Sequence, residues 1–400
     1  MTCTRPAMPV ALLLLTSAVG ILGEEAKPVI AVRHVRAVES PFPDGGGGGN
    51  SHLLPGMPPD GPRFAVSWSK GYEDCTAAFY NADLEMTATW REPVAGGDKI
   101  MALTAGDLDE DGSNEILLTV RKQAPGAYAL RWNEEAGALE TLWSFLDVPQ
   151  GPFYRGIAVG NFTDRAGREV CFGGDGTGLF LLDARGALIA HSDRPAKTIQ
   201  YIDVCDDDGD GYDEMLVCTG RNPGEVYHLK WHPTTHRLAT LWRADVTPDG
   251  RGGNNCYEAH YHPDGHPHGG PAIAANTEQE APPQDRAGSV VMLDMDGREV
   301  WHYIYGPEEQ RGGACDFADV TGDGVPEVLS RYSRRVAGQP YELDVLILDN
   351  RGRRLARMAD VTAGSAGPYV FRPNGPGAEP VLLLGNTNVY EIVVEASSPK

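Results

Sequence analysis

The stretch Asp107-Leu-Asp109-Glu-Asp111-Gly112-Ser-Asn-Glu115, which runs straight into Ile116-Leu-Leu-Thr-Val120, sets the frame for the whole chain. It places carboxylates at relative positions 1, 3 and 5, glycine at 6 and glutamate at 9, ahead of an aliphatic strand-like run. The same spacing returns in Asp206-Asp-Asp208-Gly-Asp210-Gly211-Tyr-Asp-Glu214, before Met215-Leu-Val217. It returns again in Asp319-Val-Thr321-Gly-Asp323-Gly324-Val-Pro-Glu327, before Val328-Leu329. Weaker copies keep the frame: Asn161-Phe-Thr163-Asp-Arg165 through Glu169, and Asp264-Gly-His266-Pro-His268-Gly269 ahead of Ala272. Asp60-Gly61 and Gly375 to Glu379 complete the series near the ends. Loops therefore begin near residues 56, 107, 161, 206, 264, 319 and 371, seven units about 52 residues apart.

Each unit carries more strand signals after its loop. Three contain an apolar run, Asp, two residues and Gly, as in Leu182-Asp183-Ala-Arg-Gly186, Leu293-Asp294-Met-Asp-Gly297 and Leu348-Asp349-Asn-Arg-Gly352. These spacings predict tight hairpins. Two units instead carry Leu130-Arg-Trp132 and Leu229-Lys-Trp231, each followed by Leu-Trp at Leu142-Trp143 and Leu241-Trp242. The tryptophans are expected to pack on outer strands rather than to form sugar platforms. Helical periodicity is nearly absent, and glycine (49) and proline (30) are abundant enough to supply many turns. About fifty residues with four strand signals is the size of one propeller blade. The expected fold is all-β: a β-propeller of seven blades, each a four-stranded antiparallel sheet. Residues 56–400 form the propeller and residues 24–55 precede it. Val29-Ile-Ala-Val-Arg33 is expected as a strand closing the ring against the last blade, and Gly45 to Gly49 as a linker-like loop.

The first 23 residues read as a secretory signal, with Arg5, the apolar run Val10 to Leu15, and small residues at Ser17, Ala18 and Gly20. The expected location is secreted or periplasmic, as a monomer without a membrane span. A net charge of −22 disfavours nucleic acid and anionic membranes as partners. Cys75, Cys171, Cys205, Cys218, Cys256 and Cys315 follow the signal, an even number, with Cys205–Cys218 the expected disulfide and buried free thiols the alternative.

Three oxygen ligands at alternate positions of a tight loop, with a glycine turn and a closing glutamate, suit calcium. The ligand sets are Asp107, Asp109, Asp111 and Glu115; Asp206, Asp208, Asp210 and Glu214; and Asp319, Thr321, Asp323 and Glu327. They predict two to three structural Ca2+ ions. An EF-hand would place the glutamate at position 12, where Leu118 and Val217 stand. Ala105-Gly106-Asp107-Leu-Asp109-Glu-Asp111-Gly112 resembles the FG-GAP/VCBS repeats of β-propellers, the type found in integrin α-subunit heads. That resemblance implies calcium on the blade loops. Gly106-Asp-Leu-Asp with Asn114-Glu-Ile116, and Asp208-Gly-Asp210-Gly, are similar to loops of family 11 rhamnogalacturonan lyases, which are longer and whose active-site segment finds no residue-by-residue match here.

One segment breaks the repeat: Arg251-Gly-Gly-Asn-Asn-Cys-Tyr257-Glu-Ala-His260-Tyr261-His262, followed by Asp264, His266 and His268. The last three occupy metal-ligand positions with nitrogen donors that suit a transition metal better than calcium. The earlier residues hold the groups a uronate elimination needs: Arg251 to neutralise a carboxylate, His260 or His262 as base, Tyr257 or Tyr261 as acid. The sequence thus predicts a binding module for a polysaccharide or an extracellular protein, with a polysaccharide lyase as the alternative.

Overall fold

The computed structural model describes residues 29–42, 47–58, 61–70, 74–91, 99–121, 125–220, 223–232, 234–235, 237–247, 255–278, 288–305, 309–335, 341–358, 369–371, 381–385 and 388–395. The signal-like segment, Arg251, Asp60 and the Gly375–Glu379 loop lie outside them. Among the described residues all regular structure is β, and no helix is long and apolar enough to cross a membrane.

After β1 (Val29–Ala37), the strands follow in antiparallel groups of four. The first sheet holds β2 (Gly47–Leu53), β3 (Phe64–Lys70), β4 (Asp74–Tyr80) and β5 (Met86–Arg91). The second holds β6 (Lys99–Gly106), β7 (Glu115–Arg121), β8 (Gly126–Asn133) and β9 (Ala138–Phe145). Next come β10 (Gly156–Gly160), β11 (Glu169–Gly174), β12 (Gly178–Leu182) and β13 (Leu188–Ser192). The fourth sheet is β14 (Thr198–Cys205), β15 (Glu214–Gly220), β16 (Glu225–His232) and β17 (Arg237–Asp245). An eight-stranded sheet joins two such runs through the single Glu278–Arg311 pair. Its first run is β18 (Asn255–His262), β19 (Ala272–Glu278), β20 (Ser289–Leu293) and β21 (Glu299–Ile304). Its second is β22 (Glu309–Ala318), β23 (Glu327–Arg335), β24 (Tyr341–Leu348) and β25 (Arg354–Met358). The last sheet combines β26 (Tyr369–Phe371), β27 (Val381–Gly385) and β28 (Asn388–Glu395) with β1, which pairs with β28 from Val29–Glu395 to Ala37–Asn388.

The acidic loops all sit between the first and second strands of a sheet, so the repeat spacing holds while each structural unit starts one strand earlier than its loop. The first sheet likewise begins inside the glycine run. Gly47 and Gly48 pair with Ser69 and Trp68, a strand rather than a linker. Glycine carries no side-chain pattern to read, so only the pairing to β3 reveals it.

Second and third strands are covered on both faces. Ile116 to Val120 and Glu214 to Gly220 are buried throughout, which is why they read as unbroken apolar runs. Outer strands such as β9 alternate towards solvent. The core is divided among sheet-to-sheet interfaces: Leu117 and Ala129 meet Val170, Phe172 and Leu182 of the next sheet. Each fully buried side chain of that size contributes about 2 kcal/mol.

Neighbouring units are also latched by tryptophan. Trp143 Nε1 donates to the Ala184 carbonyl at 3.0 Å, Trp242 Nε1 to Met295 at 2.7 Å, and Trp301 Nε1 to Asn350 at 2.9 Å. Each indole lies on the glycine that ends the next unit's tight hairpin, Gly186, Gly297 or Gly352. Those glycines have φ of 79°, 76° and 74°. A methyl group there would lie 2.6 to 2.9 Å from the indole. The tryptophans are packing residues, as the sequence suggested.

Cys171, Cys205, Cys218, Cys256 and Cys315 are buried free thiols. The expected Cys205–Cys218 disulfide does not form. Cys205 ends β14 beside Glu214, whereas Cys218 lies further along β15 opposite Tyr201.

Candidate functional site

The four loops that keep a closing glutamate share one internal geometry. Glu115, Glu169, Glu214 and Glu327 are all buried. One oxygen of each accepts the backbone N–H of loop position 2: Leu108 at 2.9 Å, Phe162 at 2.8 Å, Asp207 at 3.1 Å and Val320 at 2.9 Å. The other oxygen takes a donor from the chain itself. Arg131 reaches Glu115 Oε1 at 2.6 Å, and Lys230 Nζ reaches Glu214 Oε1 at 2.5 Å. In the other two loops the hydroxyls of Thr163 and Thr321 donate to Glu169 and Glu327. Thr321, expected as an oxygen ligand, donates its hydroxyl proton to Glu327 Oε1 at 3.1 Å.

Asp107, Asp206 and Asp319 accept backbone N–H groups inside their own loops, including Gly112, Gly211 and Gly324. The remaining acids of the two richest loops face the base. Arg131 also contacts Asp109 Oδ2 at 2.7 Å and lies 3.9 Å from Asp111; Lys230 contacts Asp208 and Asp210 at 2.9 Å each. Asp323 Oδ1 accepts the Val325 N–H. Burial raises all four glutamates above their usual range, Glu214 and Glu327 to about 7. The donor sets of the first two loops are therefore assembled in part: ligand oxygens of Asp107, Asp109 and Glu115, and of Asp206, Asp208 and Asp210, lie within 4.8 Å of one another, close enough to hold a metal ion, and Arg131 and Lys230 stand against carboxylates of the same groups.

The His266 and His268 ring centres lie 5.6 Å apart, but Asp264, His266 and His268 are not among the described side-chain groups whose ligand atoms converge within 4.8 Å. Their loop runs from Pro263 to Pro271 between His262 and Ala272, one residue longer than the eight-residue loops, and Ala272 stands where the closing glutamate would be. Backbone bonds close it, His266 N–H to the Gly270 carbonyl and Gly269 N–H to the His266 carbonyl. His266 Nδ1 is spent accepting the His268 N–H at 3.2 Å.

The first strands of the sheets line a cavity of about 400 Å³. Five of its lining residues share one register position: Thr104, Ala158, Asp203, His260 and Asp316 pair with Leu117, Cys171, Leu216, Ala274 and Leu329. Three neighbouring first strands thus present Asp203, His260 and Asp316 side by side, with Glu258 from β18 joining them. His260 Nδ1 lies 4.0 Å from Asp203 Oδ2, and Nε2 lies 3.5 Å from Glu258 Oε2. Burial alone would lower the imidazole pKa. Glu258, Asp203 and Asp316 outweigh it and hold His260 at about 9, so it is an imidazolium at neutral pH. Burial pushes Asp316 up to about 6, partly opposed by His260. The 3.5 Å ion pair falls outside hydrogen-bond geometry. Glu258 Oε2 and His260 Nε2 are buried with no hydrogen-bond partner among the described residues. Arg155, which donates to Gln200 at 2.9 Å, Lys99, His52, Tyr201 and Tyr257 add to the polar lining.

The segment proposed for elimination chemistry divides. Tyr257, at the bulge in β18, and His260 line the cavity. Tyr261 packs against the core cluster that includes Cys205, and His262 faces Phe317 with ring centres 5.4 Å apart. The neighbouring Glu258, Asp203 and Asp316 carboxylates favour the protonated form of His260, which opposes a general-base role at neutral pH. Asp203 and Asp316, which sequence reading missed, carried a signal: both stand three residues before a loop's first position.

No family model and no curated protein matches the chain. It is similar to solved structures at low identity. With BBS1N in complex with ARL6DN it shares 11% identity over 94% of this chain and 99% of that one, at a TM-score of 0.57. With the Vibrio cholerae biofilm matrix protein Bap1 it shares 13% over 93% and 92%, at 0.53. With Saccharomyces cerevisiae Sqt1 it shares 11% over 82% and 80%, at 0.53. At these identities the likeness is one of fold alone, and that fold is all-β and β-propeller-like.

Proposed function

We propose that this chain is an exported, seven-bladed β-propeller of FG-GAP/VCBS type whose central cavity binds a neutral saccharide, acting as a binding module rather than a lyase. The seven-bladed ring is supported by the grouping of strands in fours, by the β1–β28 pairing, and by contacts that run from β2 through β6, β10, β14, β18, β22 and β26 back to β2. The observation that carries the ligand class is the Glu258 Oε2–His260 Nε2 pair, one acceptor and one charged donor 3.5 Å apart, both buried and without hydrogen-bond partners among the described residues. Two adjacent sugar hydroxyls present the complementary donor and acceptor, and a buried polar pair gains most from a ligand that satisfies both. A volume of about 400 Å³ suits one or two sugar rings, and Tyr201 and Tyr257 offer aromatic surface. Asp203, Glu258 and Asp316 repel a uronate from this end of the cavity.

The test is calorimetric titration with a panel of neutral and uronate oligosaccharides. The expected result is binding of a neutral member that falls at least tenfold in Glu258→Gln and His260→Gln. Unsaturated products from a uronate polymer, lost in His260→Gln, would replace this reading with the lyase.

A further inference from the structure

We infer that Arg131 and Lys230 are resident cations that pre-empt calcium in the Asp107 and Asp206 loops, so that each loop becomes a calcium site only when its base is removed. Lys230 Nζ lies 2.5 to 2.9 Å from Glu214, Asp208 and Asp210, at the focus of three carboxylates. A calcium ion needs its oxygens at about 2.3–2.6 Å and would have to share that focus with an ammonium group. Like charges that close repel, so calcium enters only by expelling the lysine. Arg131 stands in the same relation to Asp109 and Glu115.

The repeat supplies its own control. Arg131 and Lys230 follow Leu130 and Leu229, which pair with Ile116 and Met215, the residues after the closing glutamates. The base therefore stands across from the glutamate, on a third strand that continues outward as a long hairpin. In the sheets with tight hairpins, Asp183 and Asp349 hold that position, and their carboxylates accept the hairpin's own N–H groups. Among the described residues no base from the third strand hydrogen-bonds the closing glutamate there, and position 3 is Thr163 or Thr321, whose hydroxyl takes over the donation. Aspartate occupies position 3 only where a base faces it, at Asp109 and Asp208. Carboxylates recruited for calcium have no reason to track a basic side chain sixteen to twenty-two residues away; carboxylates recruited to hold that side chain must.

Calorimetric calcium titrations and melting curves on the full chain test this. Wild type should bind no calcium that Asp109→Asn or Asp208→Asn removes, and its melting temperature should not change with chelator. Lys230→Ala and Arg131→Ala should each gain one calcium site. With the ~10⁻⁴ M affinity of extracellular calcium modules, ~5 mM calcium should raise their melting temperatures by roughly 3–6 °C. Lys230→Arg should gain none. Wild-type calcium binding lost in Asp109→Asn or Asp208→Asn overturns the inference. So do folded Arg131→Ala and Lys230→Ala proteins that bind no more calcium than wild type. The wild-type arm stands even if an alanine variant fails to fold.

Discussion

Replacing Trp242 by alanine isolates the latch between successive sheets. The indole is half-buried, donates to the Met295 carbonyl at 2.7 Å, lies on Gly297 and sits 5.2 Å from the His228 ring. A fully buried tryptophan costs about 3–5 kcal/mol on truncation, so partial burial gives about 2 kcal/mol, and the lost hydrogen bond adds about 1 kcal/mol. At roughly 1–3 °C per kcal/mol for a chain of this size, Trp242→Ala should lower the melting temperature by about 3–9 °C. Gly297→Ala has two separable costs. A left-handed φ of 76° penalises any Cβ by about 1 kcal/mol, and the methyl group would also lie 2.7 Å from Trp242 Cε3. The second cost exists only while the indole is present. In a double-mutant cycle read by denaturant unfolding, Gly297→Ala should therefore be milder in the Trp242→Ala background by about 1–2 kcal/mol. Additivity within about 0.5 kcal/mol would refute the latch and leave Gly297 as a turn residue alone.

Three other outcomes follow from the same structure. Glu327 is raised to about 7 when folded, against an ordinary value of 4.5, so the unfolded chain ionises first as pH rises. The folded state is therefore favoured below about pH 4.5, loses about 3 kcal/mol between pH 4.5 and 7, and is level above that. Glu327→Gln should flatten this window in pH-dependent unfolding, since Thr321 can turn its hydroxyl to accept from the amide; an unchanged profile would mean that Glu327 is ionised in the fold. Cys171, Cys205, Cys218, Cys256 and Cys315 are buried, so a water-soluble thiol reagent should titrate none of them before unfolding and all five afterwards; rapid labelling of any one contradicts that burial. Saccharide affinity should fall at alkaline pH as His260 loses its proton near 9, and a flat profile from pH 7 to 10 would remove the imidazolium from recognition.

The architecture was largely legible because the loop spacing is a ruler. Eight residues separate the end of a first strand from the closing glutamate in four sheets, and that regularity survives the loss of the acids in Asn161 to Arg168. What the ruler could not give was phase or partnership. β2 begins in glycines, which leave no alternation to read. The identity of the group facing each glutamate lies outside the loop, on a third strand whose hairpin type decides whether a base or an aspartate arrives. The sequence did display that choice, in Leu130-Arg-Trp132 and Leu229-Lys-Trp231 against Leu-Asp-x-x-Gly, but as two hairpin classes with no visible tie to the loops.

The same limit applies to the His-rich segment. The His-rich segment drew notice for its composition, yet β-strand alternation sends His260 towards the cavity and Tyr261 to the other face, while His262, the last residue of β18, packs against Phe317 instead of lining the cavity. The partners of His260 come from strands on either side, at the same register position more than fifty residues away in each direction. A repeat fold makes such positions equivalent by construction: in five units the residue two before the end of the first strand's pairing with the second lines the shared cavity. Two units spend that position on Thr104 and Ala158, which carry no charge. Placing Asp203, His260 and Asp316 there in succession concentrates charge in one arc of the lining: Asp203 and Asp316 each accept one backbone N–H, from Tyr261 at 2.7 Å and Phe317 at 2.8 Å, whereas His260 Nε2 is buried with no hydrogen-bond partner among the described residues. Substituting His260 by Thr or Ala, the residues of two other units, should therefore stabilise the empty protein while weakening saccharide binding. A variant that loses stability and keeps its affinity would show that the arc serves folding, not recognition.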